Sequence, residues 1–190
     1  MVAAIGLRMF DRDGYEATTM DDIATAAGIS RPTLFRYFSA KNDIVWDRYD
    51  AEATELRAAL ADSEPERDPL DVLCEILPAL LQYGDADLDL LRIQVTLIAT
   101  VPDVQGHARR RFAEWTGIMA DFVAARTGDE PAGLLPSLVS QCVWAAGFTA
   151  LSHWAAGTEP RPDEDLAAAF AALRSGFRQT APPSARRTPR

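Results

Sequence analysis

Residues 18–41 read TTMDDIATAAGISRPTLFRYFSAK, a run whose punctuation allows little besides two short helices joined by a tight turn. Thr19 stands where a helix N-cap is needed. Asp21 and Asp22 follow in the first turn, where carboxylates suit the positive end of the helix, and Asp22 is spaced to close a capping-box-like pair with Thr19. Gly28 supplies the left-handed conformation that stops this helix near Ala27. Ser30 caps the next one, and Pro32 is tolerated in a first turn that has no intrahelical donor to lose. Ala24, Gly28 and Leu34 work together: a small residue where two helices cross, a glycine in the turn, and a large apolar residue pinning the second helix down.

Helical apolar spacing over residues 2–10 places another helix ahead of this pair, ending where Gly14 breaks the pattern and Tyr15 begins a turn. Ile23, Ile29 and Phe38 complete a miniature core with Met9 and Phe10. Such a core is marginal alone, so a long helix from Ser39 to about residue 62 is expected to join it to a larger body. Further helices are predicted over residues 70–83, 88–100, 104–127, 134–156 and 164–179. Apolar positions recur at intervals of three and four, never alternating over a useful length. The fold class is therefore all-α: an N-terminal three-helix helix-turn-helix domain over 1–45, and an all-helical body over 46–179. The tail, 180–190, is proline-rich, basic and without apolar anchors, which predicts disorder.

Charge gives the first domain a partner. The 190-residue chain has a formal net charge of -9, yet residues 23–41 contain no acidic residue and three basic ones, Arg31, Arg36 and Lys41. A local reversal of this kind suits a polyanion. Arg31 and Lys41 both fall in the first turn of a helix, where a cation opposes the macrodipole at a cost of roughly a few tenths of a kcal/mol. A DNA phosphate would offset it; a simply solvated helix start is the alternative for either residue alone. On residues 31–38, Leu34 and Phe38 face inward, leaving Arg31, Thr33, Phe35, Arg36 and Tyr37 for a groove. Thr33 and Phe35 suit thymine methyls, Arg36 guanine or phosphate, and the hydroxyls of Tyr37 and Thr19 phosphate. Phe35 and Tyr37 packed against a neighbouring helix is the competing arrangement.

The segment GYEATTMDDIATAAGISRPTLFRYFSAK resembles the DNA-binding domain of the TetR family of bacterial transcriptional regulators. That resemblance covers the first quarter of the chain and matches Thr19, Arg31, Thr33, Phe35, Tyr37 and Lys41 to operator-contacting positions, with Arg36 at a more variable one. It implies a homodimer carrying two heads on a helical body that binds a small effector and releases a palindromic operator, most simply as a repressor. Over a shorter stretch, KNDIVWDRYD is similar to regulators associated with mycofactocin gene clusters. The basic arm that often precedes the first helix of family members is absent from residues 1–10.

In the body, residues 134–156 are apolar around nearly the whole circumference and need cover on more than one side. Paired with the last helix across a two-fold axis they would form a four-helix interface using Ala146, Ala150, Trp154, Leu166, Phe170, Leu173 and Phe177; a single buried helix in a monomer is the alternative. Effector pockets are mostly apolar with few polar anchors, which makes Tyr83, Arg92, Arg111, Trp115, Met119, Phe122, Trp144 and Phe148 the pocket candidates, each with ordinary core packing as its competitor. No nucleophile with a base, no paired carboxylates and no phosphate-binding glycine loop is present, so an enzyme is not expected. Neither a cofactor nor a metal effector is expected, because His107 and His153 lack partners at ligand spacing. Cys74 and Cys142 read as buried thiols of a cytoplasmic protein, and the apolar run at 134–156 lacks the flanks of a membrane span. A helical module whose head meets a protein instead of DNA is the remaining alternative.

Overall fold

The computed structural model describes residues 1–81 and 84–177, and within them the chain forms ten helices and no strand. Four short helices make the head: α1 (Val2–Asp13), α2 (Met20–Ala26), α3 (Arg31–Tyr37) and α4 (Lys41–Val45). Thr19 and Asp22 close the capping box, with the Asp22 carboxylate accepting from the Thr19 N–H at 2.9 Å and its hydroxyl at 2.6 Å. Those bonds hold the Asp22 carboxyl below the usual carboxylate range. The Ser30 hydroxyl accepts from the Thr33 N–H, and Gly28 turns the chain at φ 67°. Phe10, Ile23, Leu34 and Ile44 are buried where the four helices meet. A Cβ on Gly6 would lie 2.8 Å from Ile44 Cγ2, so the Ile44 side chain of α4 packs directly on the α1 backbone there.

The continuous helix expected from Ser39 to about residue 62 is broken. α4 stops at Val45, residues 46–48 turn, and α5 runs Tyr49–Ala61. In an unbroken helix the Tyr49 N–H would bond the Val45 carbonyl; here it bonds Trp46 O at 3.0 Å. The freed Val45 carbonyl accepts from Gln94 Nε2 at 2.6 Å. Trp46 and Tyr49 are both buried as a result, and the Trp46 indole donates to Asn42 Oδ1 at 3.1 Å. A break in one helix thus becomes a joint between head and body.

The body comprises α5, α6 (Pro69–Leu80), α7 (Asp85–Thr100), α8 (Pro102–Thr127), α9 (Leu134–Ala156) and α10 (Asp163–Arg174). α10 ends before residue 179 because Gly176, at φ 67°, closes it: Gly176 N–H bonds Leu173 O and Phe177 N–H bonds Ala172 O at 2.8 Å. That pair of bonds is a Schellman stop. The expected tail, 180–190, lies outside the described residues. α9 is long and apolar enough to cross a membrane, with a mean hydropathy of 1.4, yet it lies among α7, α8 and α10. Cys74 is buried, and burial pushes its thiol up to about 11, leaving it protonated and unreactive. Cys142 is half-buried, and neither cysteine is in a disulfide.

Head and body share one core, continuous across residues 45 and 46, with α1 against α7 and α4 against α8. Polar bonds fix this docking. Tyr15 donates to Asp103 Oδ2 at 2.9 Å, while Asn42 Nδ2 donates to Asp103 O at 3.2 Å and to His107 Nδ1 at 2.6 Å. Burial, reinforced by Asp103, raises the Tyr15 phenol well above its ordinary value.

Candidate nucleic-acid interface and effector cavity

α3 is seated by Leu34, which is fully buried, and presents the rest of its surface outward. Phe35 is 40% exposed and Tyr37 62% exposed. Neither ring packs into the head, which removes the competing arrangement. Arg31 lies 5.3 Å over the Phe35 ring and Arg36 5.0 Å over the Tyr37 ring, so two cations are spread across two aromatic faces on one short helix. Such a surface offers cationic, aromatic and hydroxyl groups together, the set that reads and grips a duplex.

Other residues expected at this interface are more committed. Arg31 is not a cation without compensation: its Nε stands 3.1 Å from Asp21 Oδ1. Lys41 gives its ammonium to the Tyr15 carbonyl at 2.8 Å and lies 4.5 Å over the Tyr15 ring. The premise that these two helix starts need an external anion is therefore corrected, because the fold supplies an internal partner to each. Thr19 uses its hydroxyl in the cap, and the Thr33 hydroxyl sits 2.8 Å from that of Ser30. Arg31, Phe35, Arg36 and Tyr37 remain as the outward set.

The body encloses an apolar cavity with about 100 Å³ of free space between α5, α6, α7, α8, α9 and α10. Its aromatic wall is a chain of contacts: Trp46 to Phe112 at 6.0 Å, Phe112 to Trp144 at 4.7 Å, Trp144 to Trp115 at 5.7 Å and Trp115 to Tyr49 at 5.5 Å. Leu77, Leu91, Val95, Ile98 and Leu166 supply much of the aliphatic side. Gln94 and Glu52 are its polar residues besides the indole and phenol groups. The Trp115 Nε1 is buried and has no hydrogen-bond acceptor among the described residues.

Of the described residues expected in a pocket, Trp115, Trp144 and Phe148 line this cavity, and Arg92, Arg111, Met119 and Phe122 do not. Met119 is buried core. Phe122 lies beneath the Arg126 guanidinium, on a surface groove between α5 and α8. Arg111 pairs with Asp50, and its carbonyl accepts from the Tyr49 hydroxyl. Arg92 is an anchor for the end of α9, donating to the carbonyls of Trp154, Ala155, Gly157 and Glu159 while lying 4.2 Å over the Trp154 ring. Tyr83 lies outside the described residues. Trp46 and Tyr49 were missed, although their i,i+3 spacing matches that of Phe112 and Trp115; reading one unbroken helix concealed that they turn into the body.

The residues expected at a self-association face differ in burial. Ala150, Trp154, Leu166 and Phe170 are buried within the chain's own core. Ala146 and Leu173 are half-buried, and Phe177 is exposed beyond the end of α10. Helical spacing names a stripe without saying which neighbour covers it. Uncovered instead are Leu134, Leu135 and Leu138, followed along α9 by Gln141, Ala145 and Thr149.

Comparison with known proteins agrees with this architecture. Residues 4–46 match the model of bacterial regulatory proteins, tetR family, and residues 67–178 match that of the MftR C-terminal domain. A relative from Mycobacterium tuberculosis, named as the mycofactocin biosynthesis transcriptional regulator MftR, is 28% identical over 93% of this chain and 89% of its own. Two solved structures share the fold. One is Thermus thermophilus FadR, a repressor in complex with lauroyl-CoA, with a TM-score of 0.61 and 23% identity over 97% of this chain and 98% of that one. The other is Bacillus subtilis FadR in complex with stearoyl-CoA, with a TM-score of 0.59 and 15% identity over 93% and 98%.

Proposed function

The chain belongs to the tetR family of bacterial transcriptional regulators and carries an MftR-type C-terminal domain, and from that membership we propose a homodimeric repressor that leaves a palindromic operator when an effector with a long apolar chain enters the body. The observation that carries the DNA side is the outward face of α3, where Phe35 and Tyr37 stay exposed beside Arg31 and Arg36 in an acidic chain. The uncovered apolar face of α9 supports self-association, which would set two heads about one helical turn apart on the duplex. Lauroyl-CoA and stearoyl-CoA in two regulators of the same fold support a chain-bearing effector, as does a cavity walled by aromatic and aliphatic carbon. At about 100 Å³ it is smaller than the roughly 300 Å³ and upward of occupied ligand sites, so binding must part the walls, and release of DNA follows from that expansion.

Selection from random duplexes, followed by fluorescence anisotropy on the winning sequence, tests the reading. An inverted repeat should emerge, bound as a dimer with steep salt dependence. Arg31→Ala should weaken binding to all duplexes and lower the salt slope by about one. The name of the Mycobacterium tuberculosis relative makes the DNA upstream of mycofactocin biosynthesis genes the first natural target to try. Binding without sequence preference or salt dependence would point to a head that meets protein, and would sink the proposal.

A further inference from the structure

The cavity has a charged porch. Beside Ile98, Phe112, Trp144 and Phe148, which line both spaces, a groove of about 620 Å³ opens between α7, α8 and α9. Its polar residues are Gln105, Arg109, Thr116 and Gln141, and no carboxylate lines it. That is unexpected on a chain with nine more acidic than basic residues. Among the described residues most arginines are tied to a carboxylate or a carbonyl, as Arg57, Arg111 and Arg126 illustrate. Arg109 is exposed and has no ion pair or hydrogen bond among the described residues.

We propose that this groove receives the anionic end of the effector, with Arg109 gripping a phosphate or carboxylate while the apolar chain passes the aromatic wall into the cavity. The inference rests on the chain-bearing effector argued above and adds where its charge goes. Charge and chain divide the work physically. An ionised group cannot follow the chain into a space lined by carbon without losing its hydration, whereas at the mouth it keeps water on one side and gains a charge-assisted, planar donor on the other. Gln141 and Gln105 offer amide donors beside it, although Gln105 already gives one hydrogen to Ala99 O at 2.7 Å. Arg110, the next residue, is exposed but does not line the groove, which makes it the internal control.

Quenching of tryptophan fluorescence, with Trp115 and Trp144 in the wall as reporters, measures the affinity of the full-length protein for lauroyl-CoA, dodecanoate, dodecanol and free coenzyme A. Arg109→Ala should weaken lauroyl-CoA binding by roughly tenfold and flatten its salt dependence, leave dodecanol unchanged, and be partly rescued in Arg109→Lys. Arg110→Ala should behave as wild type. A parallel loss for dodecanoate identifies a carboxylate as the gripped group; a loss confined to lauroyl-CoA identifies a phosphate. If lauroyl-CoA and dodecanol bind wild type but Arg109→Ala alters neither, the anionic site is overturned and the chain-bearing effector stands. If no chain-bearing probe binds wild type at all, both fall together.

Discussion

Two tryptophans show how much a single polar atom decides. The Trp154 indole donates to Glu159 O at 3.0 Å beneath Arg92, whereas the Trp115 indole, also buried, has no acceptor among the described residues. An orphaned donor has already lost its water, so deleting it together with a few ring atoms costs little, while deleting a satisfied one strands its partner. Trp115→Phe should therefore shift the unfolding free energy in urea by less than about 1 kcal/mol, and Trp154→Phe should cost about 1–3 kcal/mol; equal losses would mean that Trp115 has a partner after all. Legibility at this scale was uneven. Thr19, Ser30, Asp22 and Gly28 were readable because capping and turn formation act over a few residues. The partners of Lys41 and Arg31 were not, because Tyr15 O and Asp21 lie 26 and 10 positions away and only the folded chain brings them together.

At the scale of elements, the angle of the head is set by how closely α1 and α4 cross. Gly6 leaves room for Ile44 Cγ2, and the 2.8 Å that an added Cβ would meet is a distance real side chains do not tolerate. Gly6→Val should cost about 1–3 kcal/mol through overpacking, read as a melting midpoint lower by several degrees, and it should weaken DNA binding beyond what the stability loss explains, because α3 is carried on the same core. An unchanged midpoint would mean that α1 can slide. The bundle itself was legible from period and stops, including α6 to α10 of the body. The broken segment at residues 46–48 was not, since neither Gly nor Pro marks it and the cause is remote: Gln94 captures the Val45 carbonyl from another helix. Nor could spacing alone tell which face of α9 or α10 turns inward: four of the residues expected between two copies are buried within one chain.

For the whole molecule, the proposed release of DNA requires that an effector in the cavity act on α3. α7 touches every part of the route. Its Arg92 holds the carboxyl end of α9, its Leu91, Val95 and Ile98 wall the cavity, and its Gln94 bonds the last carbonyl of α4. Gln94 and Leu91 also line a second space of about 190 Å³ between head and body, bounded by α1, α4 and α5. If, as proposed, the cavity grows to admit a ligand, α7 moves with its wall and pulls on Val45 O at the end of α4, the helix that follows α3. Coupling between two sites is a free energy shared by both, typically about 1–3 kcal/mol or 5- to 150-fold in affinity. Gln94→Ala removes the link while leaving the outward face of α3 untouched. Operator affinity measured by anisotropy with and without saturating lauroyl-CoA should then differ several-fold less than in wild type. By reciprocity, operator DNA should also depress lauroyl-CoA affinity by the same reduced factor. If Gln94→Ala keeps the full release, the signal travels instead through α8, whose Asp103 and His107 hold Asn42 of the head, and Asn42 becomes the residue through which ligand and DNA compete.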